Sequence, residues 1–232
     1  MPDLFGRKDQ TARRLAQIDS VVVIGLGRFG QALALELVDS ETEVLGIDSD
    51  ESVVQEMSTR LTHCVSADST SEDALRQLGV QEFDRAVVAI GSHIEASLLT
   101  ASLLKTLGVT EVWAKAISKP HGRILEQLGV SHVVYPEHDM GQRVAHLVKG
   151  RMLDYIAFES DFAMAKTVPP AALLDVALAQ TGIRREHGVT VVGVKQPGRS
   201  FTHATGETVL TEGDTIIVSG EPRAVERFSA LR

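Results

Sequence analysis

Along the first half of the chain, short β-branched runs alternate with stretches whose apolar positions recur every three or four residues. Residues 20–25, 43–47, 62–67, 84–90, 111–116 and 130–135 read as strands, and 28–39, 51–60, 71–79, 93–107 and 119–128 as the helices between them. Val21-Val22-Val23-Ile24 is apolar without alternation, the pattern of a strand covered on both faces. Strands that alternate with helices predict an α/β domain, a Rossmann-like doubly wound parallel sheet. Leu78-Gly79-Val80, Leu107-Gly108-Val109 and Leu128-Gly129-Val130 share one punctuation, a helix that ends at glycine before the chain re-enters the sheet.

A long stripe follows. Met140, Val144, Leu147, Val148, Met152, Tyr155 and Ile156 recur at three- and four-residue steps and predict a helical connector over 141–157, bent at Gly150. It separates a nucleotide-binding domain over 18–140 from a second module over 158–232. That module has shorter runs and tight turns: strands at 162–168, 189–194 and 215–219, a helix-like stretch at 172–179, and a closing helix behind Pro222. It reads as a small α+β C-terminal lobe, short for a catalytic domain and adequate for a ligand or oligomerisation module.

Composition narrows the function. The 232 residues are 44% hydrophobic and 23% charged, with a formal charge of −8. An acidic balance argues against nucleic acid or an anionic membrane as a direct partner, since both need a positive surface. Cys64 is the only cysteine, which excludes an internal disulfide and suits a reducing compartment. Residues 1–17 lack the apolar core of a signal peptide, and no apolar run approaches the ~20 residues that cross a bilayer. The expectation is a cytoplasmic protein that reaches a membrane only through a partner.

The candidate chemistry centres on Gly25-Leu26-Gly27-Arg28-Phe29-Gly30, between the first strand and the first helix. In that context the first glycine permits the tight turn, the second lets backbone approach phosphate, and the third lets helix pack on strand. Helix amides and the dipole then favour an anion. Asp48 and Ser49 end the second strand, where an acid accepts ribose hydroxyls. Asp68 and Ser69 end the third, where adenine contacts sit, and Ile90-Gly91 ends the fourth. Arg28 either reaches further phosphates or stands in solvent. Lys115 either faces ligand at its strand's carboxyl end or lies on a solvated edge. Glu137 either shares a cation with phosphates or simply complements a helix N-terminus.

No reactive set accompanies this loop. Neither Tyr135 nor Tyr155 has a lysine four residues on, no GxSxG elbow occurs, and the histidines show no zinc spacing. His187 and His203 remain as acid–base candidates for a small NAD-dependent oxidoreductase. A complete nucleotide loop without reactive partners favours sensing over catalysis.

Several motifs together resemble the cytosolic regulatory subunits of Ktr/Trk potassium uptake systems, which carry RCK domains (regulator of potassium conductance). They are Val23-Ile24-Gly25-Leu26-Gly27-Arg28-Phe29-Gly30, Ala89-Ile90-Gly91, Leu103-Leu104-Lys105, Trp113-Ala114-Lys115-Ala116, Pro136-Glu137-His138-Asp139-Met140-Gly141 and Leu210-Thr211-Glu212-Gly213-Asp214. The resemblance implies a homodimer assembling into an octameric ring beneath an integral-membrane potassium channel or transporter subunit. It implies activation by ATP and inhibition by ADP, with NAD(H) sensing as the Trk-type alternative. Arg28 would touch the terminal phosphate and Glu137 would hold a divalent or monovalent cation there. The stripe from Met140 to Ile156 would be a crossover between lobes and subunits. The C-terminal lobe would offer Leu174, Arg184, His187 and Pro197 to cyclic di-AMP.

Overall fold

The computed structural model describes residues 20–149, 151–158 and 160–231. The readings of residues 1–17 and of a bend at Gly150 lie outside the described residues. The chain divides into two compact units, Met1–Glu137 and His138–Arg232.

In the first unit six parallel strands form one sheet: β1 (Ser20–Ile24), β2 (Glu43–Asp48), β3 (His63–Ser66), β4 (Arg85–Val88), β5 (Glu111–Lys115) and β6 (His132–Val134). Their order is β3-β2-β1-β4-β5-β6. The helices are α1 (Arg28–Asp39), α2 (Glu51–Met57), α3 (Glu72–Gln77), α4 (Ile94–Thr106) and α5 (Lys119–Gln127). The unbroken apolar runs are explained by two separate cores. Val21, Val23 and Val44 join Ala34 of α1 and Met57 of α2 on one face. Val22, Ile24 and Ile47 join Leu75, Leu104 and Leu125 on the other. Neighbouring residues of one strand therefore serve opposite cores, the physical content of a doubly wound sheet.

The three Leu-Gly-Val segments end helical stretches as expected. Gly79, Gly108 and Gly129 have φ of 72°, 85° and 80°, a left-handed turn that glycine adopts without a Cβ penalty. After Gly108 and Gly129, the Val109 and Val130 amides donate back to Leu104 and Leu125.

α6 (Pro136–Lys149) begins in the first unit and continues in the second. Here the structure corrects the sequence reading. The helix stops at Lys149, and Asp154–Phe158 forms a strand, β7. Met152 and Tyr155 do enter the second core, but Tyr155 does so from β7. A three-to-four spacing carried across a helix end by chance cannot reveal that end. Residues 141–157 thus contain helix and strand, and all fall within the second unit.

The second unit is an antiparallel sheet ordered β10-β9-β11-β8-β7, with β8 at Phe162–Thr167, β9 at Val189–Lys195, β10 at Thr202–His203 and β11 at Thr215–Gly220. Besides α6, two further helices lie in it among the described residues: α7 (Ile183–His187) and α8 (Pro222–Ser229). The amphipathic α8 buries Ala224, Val225 and Phe228 against the sheet core. The helix-like stretch 172–179 is two short 3-10 turns instead, Ala171–Leu173 and Leu178–Gln180. The Asp175, Leu178 and Ala179 amides donate to Leu210, Thr208 and Gly206 carbonyls rather than back along a helix. Pairing with a distant segment outcompetes local helical propensity there.

Candidate functional site: a cavity at the switch point

Strand order reverses between β1 and β4, so their connections leave on opposite faces. Ligands of doubly wound sheets bind outside the carboxyl ends of the strands at such a point. A cavity of about 510 Å³ lies there.

The glycine loop forms its floor. Gly25 has φ +92°, and a Cβ there would sit 3.0 Å from the Ile90 amide nitrogen. Its own amide donates to the Ile47 carbonyl at 2.8 Å. A Cβ on Gly30 would stand 1.9 Å from the Gly25 carbonyl oxygen, so this glycine seats α1 against the turn and does not line the cavity. A Cβ on Gly27 would meet nothing within 4 Å. Gly27 faces open space, where backbone can meet a ligand.

The start of α1 is left without internal partners. Ser71 and Ser118 cap α3 and α5 with their hydroxyls, and Asp50 caps α2 with its carboxylate. Gly27 supplies no side-chain cap to α1, and no acidic residue lies in its first turn. The orphan amides and the helix dipole therefore stay available to an anion. Arg28 and Phe29 border the same space.

Asp48 is built into the loop as well as facing the cavity. Its Oδ2 accepts the Leu26 amide at 2.6 Å and its Oδ1 accepts the Asp50 amide at 2.9 Å. One carboxylate thus ties the glycine turn to the end of β2, with lone pairs left for hydroxyl donors. Ser49 and Asp68 line the cavity beside it. Thr70 donates to the Asp68 carboxylate from both its hydroxyl and its amide, which holds that group below the usual carboxylate range. The Ser69 hydroxyl is buried and engages Thr100 Oγ1 at 2.9 Å. Ser69 therefore anchors the wall to α4.

Ile90, Gly91 and Lys115 form the opposite wall. Of the two readings of Lys115, the structure selects the one at the strand's carboxyl end. The residue is 8% exposed, and its ammonium lies 2.5 Å from Glu137 Oε1 and 5.7 Å from the Phe29 ring centroid. A Cβ at Gly91 would come within 3.1 Å of this nitrogen, so glycine leaves the passage the lysine occupies. The Lys115 hydrogen bond holds the Glu137 carboxyl below its ordinary value, with a smaller contribution from Arg28.

Glu137 therefore stands beside an ammonium, where the sequence reading placed a cation. Among the described residues, no group of three or more His, Cys, Asp or Glu side chains could hold a metal. Lys115 engages Oε1 alone, and a metal ion at Glu137 would draw its other ligands from outside these side chains.

Thr70, Ser92 and His93 also line the cavity and were not singled out by sequence. Their signal was position alone, one or two residues past a strand-end motif. The four cyclic di-AMP candidates are dispersed by element. Leu174 packs on the second core, Arg184 is exposed on α7, His187 stands edge-on to Phe228, and Pro197 lies in the turn after β9. A concavity of about 350 Å³ in the second unit is lined by Gln196, Arg199 and Thr208 among others and includes none of the four. His203 is exposed on β10, and neither it nor His187 borders the 510 Å³ cavity.

No helix among the described residues is long and apolar enough to cross a membrane. Residues 21–136 match the TrkA-N domain and residues 163–231 the TrkA-C domain. Ktr system potassium uptake protein C of Bacillus subtilis is 36% identical over 207 residues, which cover 89% of this chain and 94% of that protein. The solved GsuK RCK domain shares the fold at TM-score 0.64 and 18% identity, over 91% of this chain and 48% of that one. A GsuK channel bound to NAD aligns at TM-score 0.63 and 18% identity, over 91% of this chain and 39% of that one. With both domain matches and a relative similar along nearly its whole length, the chain belongs to the Ktr/Trk potassium-uptake regulatory subunit family.

Proposed function

We propose that this chain is a nucleotide-sensing regulatory subunit that gates a potassium-conducting membrane protein. ATP in the first unit's cavity activates, and ADP inhibits. The observation that carries this reading is the arrangement around α1. Uncapped helix amides open beside Arg28 and Lys115, and Asp48 faces the cavity from the adjoining strand. The amides and both cations would hold phosphates, and Asp48 would hold the ribose. The ligand acts by binding one assembly shape better than another, because only differential affinity shifts an equilibrium. The family supports a homodimer assembled into an octameric ring, located at the inner face of the plasma membrane through its partner.

The second reading is NAD(H) sensing, favoured by Asp48 at the ribose position and by the NAD-bound channel of the same fold. Reconstituting the chain with its pore in potassium-loaded vesicles, and measuring flux with saturating ATP, ADP or NADH, separates the two. Faster flux with ATP than with ADP is expected. Equal flux with all three overturns the regulatory reading, and a response to NADH alone replaces it with the second.

A further inference from the structure

β3 is an edge strand of the first sheet, with β2 as its neighbour. At its exit the Ala67 amide still donates to the Asp48 carbonyl at 3.0 Å. Residues 68–70 then leave the ladder and line the cavity. Backbone without ladder bonds is placed by whatever side chains tie it down. One tie is local. Asp68 Oδ1 accepts the Thr70 hydroxyl at 2.7 Å and the Thr70 amide at 2.9 Å. Both bonds fall on one oxygen, which leaves Oδ2 with lone pairs to offer a ligand.

A second tie comes from α4. Thr100 Oγ1 lies 2.9 Å from the Ser69 hydroxyl and 3.2 Å from the Ser69 carbonyl oxygen. The carbonyl has no proton, so Thr100 donates to it and its single proton is spent. The Ser69 hydroxyl therefore donates to Thr100. The two residues close a ring in which each hydroxyl has one defined role. Thr100 is 0% exposed and Ser69 8%, so water does not replace either bond. Thr106, on the same helix, takes the local option instead, and its hydroxyl donates one turn back to the Ser102 carbonyl at 3.0 Å. Thr100 spends its proton on a residue 31 positions away. It does not border the cavity, so any part it has in binding is indirect.

Strand order says which part of a ligand this wall meets. β3 lies on the far side of β2 from β1. A nucleotide with phosphates on the loop after β1 and ribose at Asp48, the end of β2, carries its base toward the end of β3. We propose that Thr100 is a positioning residue for that base: its reciprocal hydrogen bonds with Ser69 hold the 68–70 wall where Asp68 Oδ2 accepts the exocyclic amine of a 6-aminopurine. The inference rests on the nucleotide reading above. Without the Thr100 hydroxyl the Ser69 peptide is released from α4, and the Asp68 carboxylate, one residue back, loses its fixed place.

The test is calorimetric titration of the full chain with ATP and with purine riboside 5′-triphosphate, which lacks only the 6-amino group. Wild type is expected to prefer ATP by about three- to tenfold, the worth of one hydrogen bond. Thr100→Val keeps the shape and removes the hydroxyl, and should abolish that preference by weakening ATP alone. Thr100→Ser keeps the hydroxyl and should restore it. In an Asp68→Ala background the preference is already gone, and Thr100→Val should change the ratio no further. A merely structural threonine would lower the melting temperature and leave the ratio of the two affinities where it was. An undiminished preference in Thr100→Val therefore overturns the proposal, as does an equal loss for both triphosphates or a Thr100→Ser that behaves like Thr100→Val. Should Thr100→Val not fold, Thr100→Ala removes the same hydroxyl without seating a methyl group against the Ser69 carbonyl, and the same ratio decides. If wild type binds both triphosphates equally, the proposal falls and the nucleotide reading stands. If it binds neither, both fall.

Discussion

The Asp48 carboxylate accepts the Leu26 amide at 2.6 Å across 22 residues of sequence. Leu26 is fully buried inside the glycine turn. The acid proposed to hold the ribose is therefore also a brace for the loop proposed to hold the phosphates. The two halves of the cavity are built on one hydrogen bond, so a change at Asp48 reaches both.

Asp48→Ala is accordingly expected to lower stability and affinity together. Removing the acceptor strands the buried Leu26 amide, at a cost of about 1–3 kcal/mol. Urea unfolding measures that cost. A 2′,3′-dideoxy nucleotide isolates the other role. Wild type should bind it more weakly than the parent ribonucleotide, and Asp48→Ala should not distinguish the two. A variant that keeps the distinction would remove Asp48 from the ribose site.

Gly27 and Gly30 lie three residues apart and should respond oppositely to alanine. A Cβ at Gly30 meets the Gly25 carbonyl oxygen at 1.9 Å, so turn and helix must separate. Gly30→Ala should unfold at a markedly lower temperature. A Cβ at Gly27 meets nothing within 4 Å. Gly27→Ala should stay within about 0.5 kcal/mol of wild type, as surface changes do. It should nevertheless lose nucleotide affinity, because the methyl group would occupy the open space of the proposed phosphate site. Paired melts and titrations check both, and a stable Gly30→Ala would contradict the packing described for the loop.

The sequence reading went furthest where local chemistry and tertiary placement agree. Glycine spacing after an apolar strand has few physical uses, so Gly25, Gly27, Asp48 and Gly91 could be located before any fold was seen. Lys115 could not be assigned to ligand or solvent, because the side a strand-end lysine faces depends on neighbouring strands. Its pairing with Glu137 joins positions 22 residues apart on different elements, which no spacing rule addresses. The same limit explains the 172–179 stretch. Its composition suits a helix, and only the carbonyls of residues 206–210 pull its amides elsewhere.

Cys64 offers a reporter on β3. Burial first, and then the charge of Asp48, raise its thiol above the ordinary 9.0. Less thiolate forms at a given pH, so alkylation at pH 8 should run more slowly in the folded chain than in the same chain in urea. Neutralising the nearby charge in Asp48→Asn should speed the folded-state reaction modestly. An alkylation rate in the native chain equal to that of the unfolded one would show the thiol to be unshielded.

His121 sets the expected acid sensitivity of the first unit. It is 2% exposed at the start of α5, and its Nδ1 accepts the Ile117 amide at 3.4 Å. Its Nε2 has no hydrogen-bond partner. Burial lowers its pKa from the ordinary 6.5, so the folded chain keeps the ring neutral where the unfolded chain protonates it. Below pH 6.5 the unfolded state then binds more protons, and stability falls as pH falls toward the folded-state pKa. Above 6.5 this contribution is fully present. His121→Phe fills similar volume without titrating, and should flatten the decline in unfolding free energy between pH 7 and pH 5 relative to wild type. The other histidines contribute equally to both chains, so the difference between the two pH profiles isolates His121. Parallel profiles would mean that the ring accepts a proton in the folded state as readily as in water, and its burial would then carry no acid sensitivity.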